Sequence, residues 1–428
     1  MYLRTKIGYG TAELGIIGVE MVMRLYLLIF YTDTVGLNPR YAGYAVALAV
    51  IWDAITDPIV GVISDRTTTK WGKRTPFIFC GGVLLAASVL IILTPPQLDT
   101  QSQKFTYLLI TYIILNTSMT ILSIPHAALG GELSDDNDDR TELYGWRFLF
   151  ANLGALIAAI LPNGHFIAGV VFFSALVTVI STNKYDHTPI DKGQSTKLLS
   201  AIPQALKNTV FLYLLISYVI ATIGLAINST FAMYYYKYYI QLPEQQIQIV
   251  IGVFILVVCL SILFWVKISK KYGKKWPAFG GILALAIMTV TTYPFFPKHN
   301  IFFPLCAAVL GGIMVGATAL LDAIVADTVD YDAAQTGQRQ EGLYFGVWRM
   351  GAKASRAAAI ALCGLWLDYI GFKPNTLQTP QVASYIAYMF GPGVGCFLVV
   401  SAVVFYFIPY SEAKHEEWHQ QYLQRKQG

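Results

Sequence analysis

The chain has 428 residues, of which 55% are hydrophobic and only 13% charged, with a net charge of +5 and a mean hydropathy of +0.53. Soluble domains carry about 25% charged residues, so this composition excludes a chain folded in water and implies a polytopic membrane protein. The basic residues sit in short clusters between apolar runs, which argues against a nucleic-acid partner, and the five scattered cysteines give neither a disulfide framework nor metal-ligand spacing.

Crossing an apolar layer of about 30 Å takes roughly 20 helical residues. About twelve windows of that kind run near 8–31, 41–63, 76–94, 105–130, 143–162, 165–182, 208–235, 247–267, 277–296, 301–325, 341–369 and 383–409. The first contains Glu20 and Arg24 and has no small-residue cleavage site, so it reads as a spanning helix and not as a signal peptide. Roughly twenty of the thirty Lys and Arg fall at the N-terminus, at the C-terminus and in the loops after the even-numbered helices before the last. About five, Arg40, Lys104, Lys237, Lys298 and Lys373, fall on the other side, which predicts that both termini face the cytoplasm across the cell (inner) membrane. The acidic cluster Asp135, Asp136, Asp138 and Asp139 reads as a solvated cytoplasmic loop.

The two halves resemble each other. WGKRTP at Trp71–Pro76 returns as YGKKWP at Tyr272–Pro277, and Arg140-x-Glu142 before Trp146 and Arg147 returns as Arg339-x-Glu341 before Trp348 and Arg349. Both are offset by about 200 residues, as a duplicated six-helix unit gives. The expected architecture is therefore all-α, with twelve transmembrane helices in two pseudo-symmetric six-helix bundles. Residues 1–182 form the first bundle, 183–207 a cytoplasmic linker, 208–410 the second bundle and 411–428 a cytoplasmic tail.

The charges inside the spans carry the functional reading. Asp53 and Asp57 lie one helical turn apart in the second span, on one helix face. An ionisable group at the middle of a spanning helix costs about 2.5 to 3.5 kcal/mol, and two close carboxylates repel unless a proton or a cation joins them. The pair suits Na⁺ or H⁺, with Thr56 beside it, and Pro58 frees backbone carbonyls that can also coordinate. A structural pair with an intramembrane Arg or Lys is the alternative. Glu20 and Arg24 form an i, i+4 pair of opposite sign, read first as self-neutralising and second as a substrate contact. Arg147, and Arg349, Lys353 and Arg356 on one face of the eleventh span, need acids or a polar ligand, with Lys353 expected near the cation site and Arg147 near the substrate. Trp348 is a candidate for stacking on a sugar ring, and Asp65, Arg66, Arg140 and Arg339 at the helix ends are candidate gate residues. His126 reads as a hydrogen-bonded core histidine, with proton shuttling as the alternative.

WDAITDP followed by G-x-x-x-D-R and WGKRTP, with KIGYG at Lys6, YTDTVGL at Tyr31, T-x-x-x-I-P at Thr120–Pro125 and ADTVDY at Ala326, resembles the glycoside-pentoside-hexuronide:cation symporter family of the major facilitator superfamily, of the melibiose permease type. The resemblance implies alternating access, a cation site at Asp53, Asp57 and Thr120, a functional lysine at Lys353 and a sugar-site arginine at Arg147. It also marks departures. The family's sugar-binding acids fall on Ile17 and Ser123, and a tryptophan falls on Ala127. The lost acids argue against a melibiose-like galactoside, and Arg24 and Arg349 tilt the cavity toward an anionic or zwitterionic solute such as a hexuronide or a phosphate-bearing amphiphile. The expected substrate is a sugar, glycoside, hexuronide or similar polar solute, carried by a monomeric symporter with no cofactor beyond the coupling ion. The alternative is a lysophospholipid or other zwitterionic amphiphile; a more remote one is a scaffold without transport. No nucleophile–base constellation, HExxH or phosphate loop is present, so no enzyme is expected.

Overall fold

A computed structural model describes residues 2–67, 69–134, 136–183, 203, 205–336 and 341–427, with 137, 138, 140, 336, 341, 342, 419 and 422–427 described by backbone alone. Most of the linker expected at 183–207, Asp135 and Arg339 lie outside the described residues, as do the side chains of Asp138, Arg140 and Glu341.

The first unit contains α1 (Leu3–Ile29, continued by a π-helical turn, Phe30–Thr34), α2 (Pro39–Arg66), α3 (Thr75–Leu93), α4 (Gln101–Glu132), α5 (Asn137–Ile160) and α6 (Gly164–Thr182). The second contains α7 (Thr209–Tyr234, continued by Tyr235–Ile240), α8 (Glu244–Tyr272), α9 (Lys275–Thr292, continued by Tyr293–Phe295) and α10 (Phe302–Gly316 and Ala319–Thr336). It is completed by most of α11 (Glu341–Tyr369), by α12 (Pro380–Tyr388 and Val394–Tyr406, joined by the π-helical Met389–Gly393) and by a terminal helix, α13 (Glu412–Gln427). The end of α11 and the turn after it, Ile360–Thr376, belong with the first unit, where Asn38 Nδ2 donates to Asp368 Oδ1 at 2.9 Å. Eleven of these helices are long and apolar enough to span a membrane. The twelfth, α11, is 29 residues long but carries Arg349, Lys353 and Arg356, which lower its apolarity.

The helices begin where capping chemistry is available. Asn38, Thr100, Asp136, Asn163, Asn208 and Thr379 each accept a hydrogen bond from a first-turn amide. Asp136 and Asp139 are thus not a free acidic loop. Asp136 caps α5, and Lys6 Nζ lies 2.6 Å from Asp139 Oδ1 and 2.7 Å from Glu142 Oε2. The Lys6 hydrogen bond holds the Asp139 carboxyl down to about 2.

With lipid outside and no water to expel, helix association depends on close backbone approach and on buried hydroxyls. On α3, a Cβ at Gly81 would lie 2.6 Å from the Leu122 backbone nitrogen of α4; on α1, one at Gly10 would lie 2.9 Å from the Trp146 carbonyl carbon of α5. Thr178 Oγ1 of α6 donates to Gly8 O of α1 at 2.7 Å and accepts from Ala12 N at 3.0 Å. In the second unit Ser217 of α7 and Ser401 of α12, both fully buried, each donate to the other's carbonyl, at 3.0 and 2.8 Å.

The sequence repeat is also a structural one. Gly72 and Gly273 hold the left-handed backbone the turn needs, at φ 103° and 78°. The next residue in each unit, Lys73 or Lys274, reaches an acid on α4 or α10: Glu132 at 3.4 Å and Asp327 at 2.7 Å. Beyond 325, where the sequence placed the end of the tenth span, a turn at Ala317–Thr318 lets α10 restart and carry ADTVDY as helix to Thr336. The tail is equally ordered: His415 of α13 lies 3.1 Å from Asp330, and the Trp418 ring packs edge-on to Tyr331 at 4.9 Å.

Gly81→Ala is expected to lower stability by about 1–3 kcal/mol, because backbone cannot yield to the new methyl, whereas Gly169→Ala, with open space around it, is expected to be neutral. Thermal unfolding of the two purified variants beside wild type checks this, and equal midpoints would contradict the packing.

Candidate functional site

Asp53 and Asp57 come from the middle of α2, and α4 lies against them. Thr120 Oγ1, on a residue 2% exposed, lies 2.9 Å from Asp53 Oδ1 and 2.9 Å from Asp57 Oδ1. The two carboxylate oxygens are therefore no farther apart than twice that distance. A hydroxyl has one proton, so Thr120 donates to one acid at a time and turns a lone pair toward the other. Both acids are half-buried; Thr56 is buried beside them and donates to Asp53 O at 3.2 Å. Pro58 has no amide to give, which leaves the Ala54 carbonyl without its helical donor within the same turn. One helical turn before Thr120, the buried Asn116 Nδ2 has no hydrogen-bond partner among the described residues. Two carboxylates and a hydroxyl are hard oxygen donors of the kind that hold a small cation. Among the described residues no group of three His, Cys, Asp or Glu gathers as transition-metal ligands.

A second polar cluster joins α1, α4 and α5. Arg147 Nε and one terminal guanidinium nitrogen both donate to Glu13 Oε1, and His126 Nδ1 lies 3.6 Å from that oxygen. Glu13 is 4% exposed and His126 fully buried. Arg147 was singled out in the sequence; Glu13 was missed. A signal was available, since Glu13 precedes Glu20 by seven residues in the first apolar run and so shares its helix face.

The third locus lies in the second unit. Trp348, 3% exposed, stacks on Tyr218 with centroids 3.6 Å apart, and its indole N–H donates to Asp322 Oδ1 at 2.7 Å. Asp322, in the apolar first turn of the second part of α10, also escaped sequence reasoning. Arg349 is exposed one residue beyond Trp348, and Lys353 and Arg356 are half-buried farther along α11.

The other expected residues are distributed as follows. Glu20 and Arg24 pair at 3.1 Å along α1. Asp65 pairs with Arg74 at 2.5 Å, and Arg74 also donates to Glu132 and Ser64 at 2.7 Å each, while Arg66 is exposed. Asp65 is thereby tied within the first unit. Ser123 is half-buried on α4.

Comparison with known proteins bears on what these loci serve. The chain is 24% identical over 426 residues to the inner membrane symporter YicJ of Escherichia coli (strain K12), covering 94% of this chain and 89% of that one. It is 24% identical over 415 residues to the isoprimeverose transporter of Lactiplantibacillus pentosus, covering 91% and 85%. The crystal structure of the nucleoside transporter NupG superposes with a TM-score of 0.66 at 14% identity, covering 96% of this chain and all of that one, and shows the major facilitator fold. A family described as MFS/sugar transport protein matches residues 8–412. With that match over nearly its whole length, the chain belongs to the MFS/sugar transport protein family, that of the glycoside-pentoside-hexuronide symporters, and is a multi-pass membrane transporter of a small molecule and not an enzyme.

Proposed function

We propose that this protein is a cation-coupled symporter of a sugar or glycoside, with Na⁺ or H⁺ as the coupling ion at Asp53, Asp57, Thr56 and Thr120. The observation that carries the reading is the Thr120 hydroxyl at hydrogen-bonding distance from both acids, which clusters three oxygens around a point where positive charge is favoured. Ion binding there neutralises a pair that is costly in a spanning helix, and any solute bound more tightly to the neutralised form is linked to the ion reciprocally. A relative named as a symporter supports coupled transport, and the family description and a relative named as an isoprimeverose transporter support the sugar-type substrate. On the solute side the candidates are Arg147 and Arg349, with the buried Trp348 ring, stacked on Tyr218, in a supporting place and Lys353 as the residue coupling charge to movement. Monomeric function in the inner membrane, with both termini cytoplasmic, completes the reading.

Asp53→Asn or Asp57→Asn is expected to abolish ion-driven accumulation of the transported sugar in proteoliposomes, and wild-type uptake in either variant would overturn the coupled-carrier reading. A panel of glycosides, hexuronides and lysophospholipids, tested by thermal shift with and without Na⁺ and at two pH values, is expected to single out a sugar whose stabilisation requires the ion; lysophospholipid binding with no sugar binding would replace the substrate class.

Thr120→Ala is expected to weaken ion binding about tenfold or more while Thr120→Ser preserves it, since the hydroxyl and not the methyl contacts the acids. Equal ion affinity in the two variants would remove Thr120 from the site. A phosphatase fused to the C-terminus is expected to be inactive, and one active outside the cell would reverse the topology.

A further inference from the structure

His126 sits fully buried on α4, and among the described residues its polar contacts are with α1. Nε2 lies 2.8 Å from the Tyr9 main-chain carbonyl. A carbonyl only accepts, so Nε2 carries a hydrogen wherever this bond exists, and Nδ1 is left as the one position on the ring where a proton comes and goes. Nδ1 faces Glu13 Oε1 at 3.6 Å. Without a proton it turns a lone pair toward a carboxylate, which is repulsive; with one it turns a cation toward the same oxygen. The ring is held in this orientation, stacked on Tyr9 at 4.5 Å between centroids and 23° between planes.

Arg147 supplies the competing charge. Its guanidinium donates to the same Glu13 Oε1 and is the most exposed of the three side chains, at 23% against 6% for Glu13 and none for His126. The charged and titratable groups of this cluster are Glu13 and Tyr9 from α1 and Arg147 from α5, with Tyr144 of α5 acting on Tyr9 and Arg147. The Asp53, Asp57 and Thr120 cluster is built by its own hydrogen bonds between α2 and α4.

We propose that Glu13 and His126 form a proton-binding site separate from the Asp53–Asp57 site, with Nδ1 as the seat of the proton and Arg147 as the group that controls its affinity. While the guanidinium rests on Glu13, carboxylate and guanidinium cancel and the imidazole is neutral. When an acceptor on a bound solute draws Arg147 away, the Glu13 charge falls to His126, and Nδ1 takes one proton from water, again leaving the pair neutral. When Arg147 returns, that proton leaves for water. The site rests on its own geometry; only its use in carrying a proton with the solute rests on the symport reading.

Histidine NMR on the full-length chain, labelled with ¹³C and ¹⁵N at its six histidines and purified in detergent, tests this, with His126→Gln identifying the signals. The expected result is an Nε2 that stays protonated from pH 5 to 9 and an Nδ1 that titrates. Arg147→Gln is expected to raise the proton affinity of His126 at least about tenfold, and Glu13→Gln to lower it by a similar factor. Packing alone does not produce opposite shifts from the two changes. An Nε2 that loses its hydrogen in this range, or an affinity unchanged in Arg147→Gln, overturns the proposal, and the Arg147 arm decides alone if Glu13→Gln does not fold. None of these readings requires transport: opposite shifts together with ion-independent sugar uptake would uphold the proton site while removing the symport reading.

Discussion

Charge carried inside hydrocarbon-length helices is the constraint on which this structure turns. An ionised side chain there is tolerated when something of opposite sign, or a proton, meets it in place. The chain meets this demand in three ways. Glu20 and Arg24 neutralise each other along one helix. Glu13, Arg147 and His126 do so across three helices. Asp53 and Asp57 instead bring two like charges to one hydroxyl. The third arrangement gathers two carboxylates and a hydroxyl at one point, where a visiting cation or proton is favoured, and so carries the functional reading.

The same demand shapes the helix ends. In each unit the basic turn after an even-numbered helix is closed by a left-handed glycine and tied to a carboxylate on the longest helix nearby, Glu132 in one case and Asp327 in the other. Arg74 gathers Asp65, Ser64 and Glu132 at a position 3% exposed, so the basic turn also staples α2, α3 and α4 together. In the second unit the Asp327 carboxylate is further shared with the Tyr410 hydroxyl and with His415, which draws α13 onto the bundle.

Between these ends the bundles are held by small residues and hydroxyls. Gly81 against Leu122, Thr178 against Gly8 and the Ser217–Ser401 exchange place backbone within reach of backbone where leucine would hold helices apart. Between α4 and α2 the short Thr120 side chain likewise reaches two acids across the helix contact.

The sequence by itself determined the helical spans, the duplicated unit and the Asp53–Asp57 pair, because hydropathy period, basic turns and i, i+4 spacing are local properties of the chain. It also pointed to Arg147 and Trp348, as polar or aromatic residues in costly places. Tertiary structure alone decided which groups meet. Glu13 gains meaning only when α5 delivers Arg147 and α4 delivers His126, from positions more than a hundred residues away. Asp322 gains it only from the Trp348 indole, and Asp139 only from Lys6. Whether a buried charge is a pair, a lever or an ion site depends on neighbours brought by helix packing, and packing through small residues is set by the fit of whole surfaces that no short window of sequence contains.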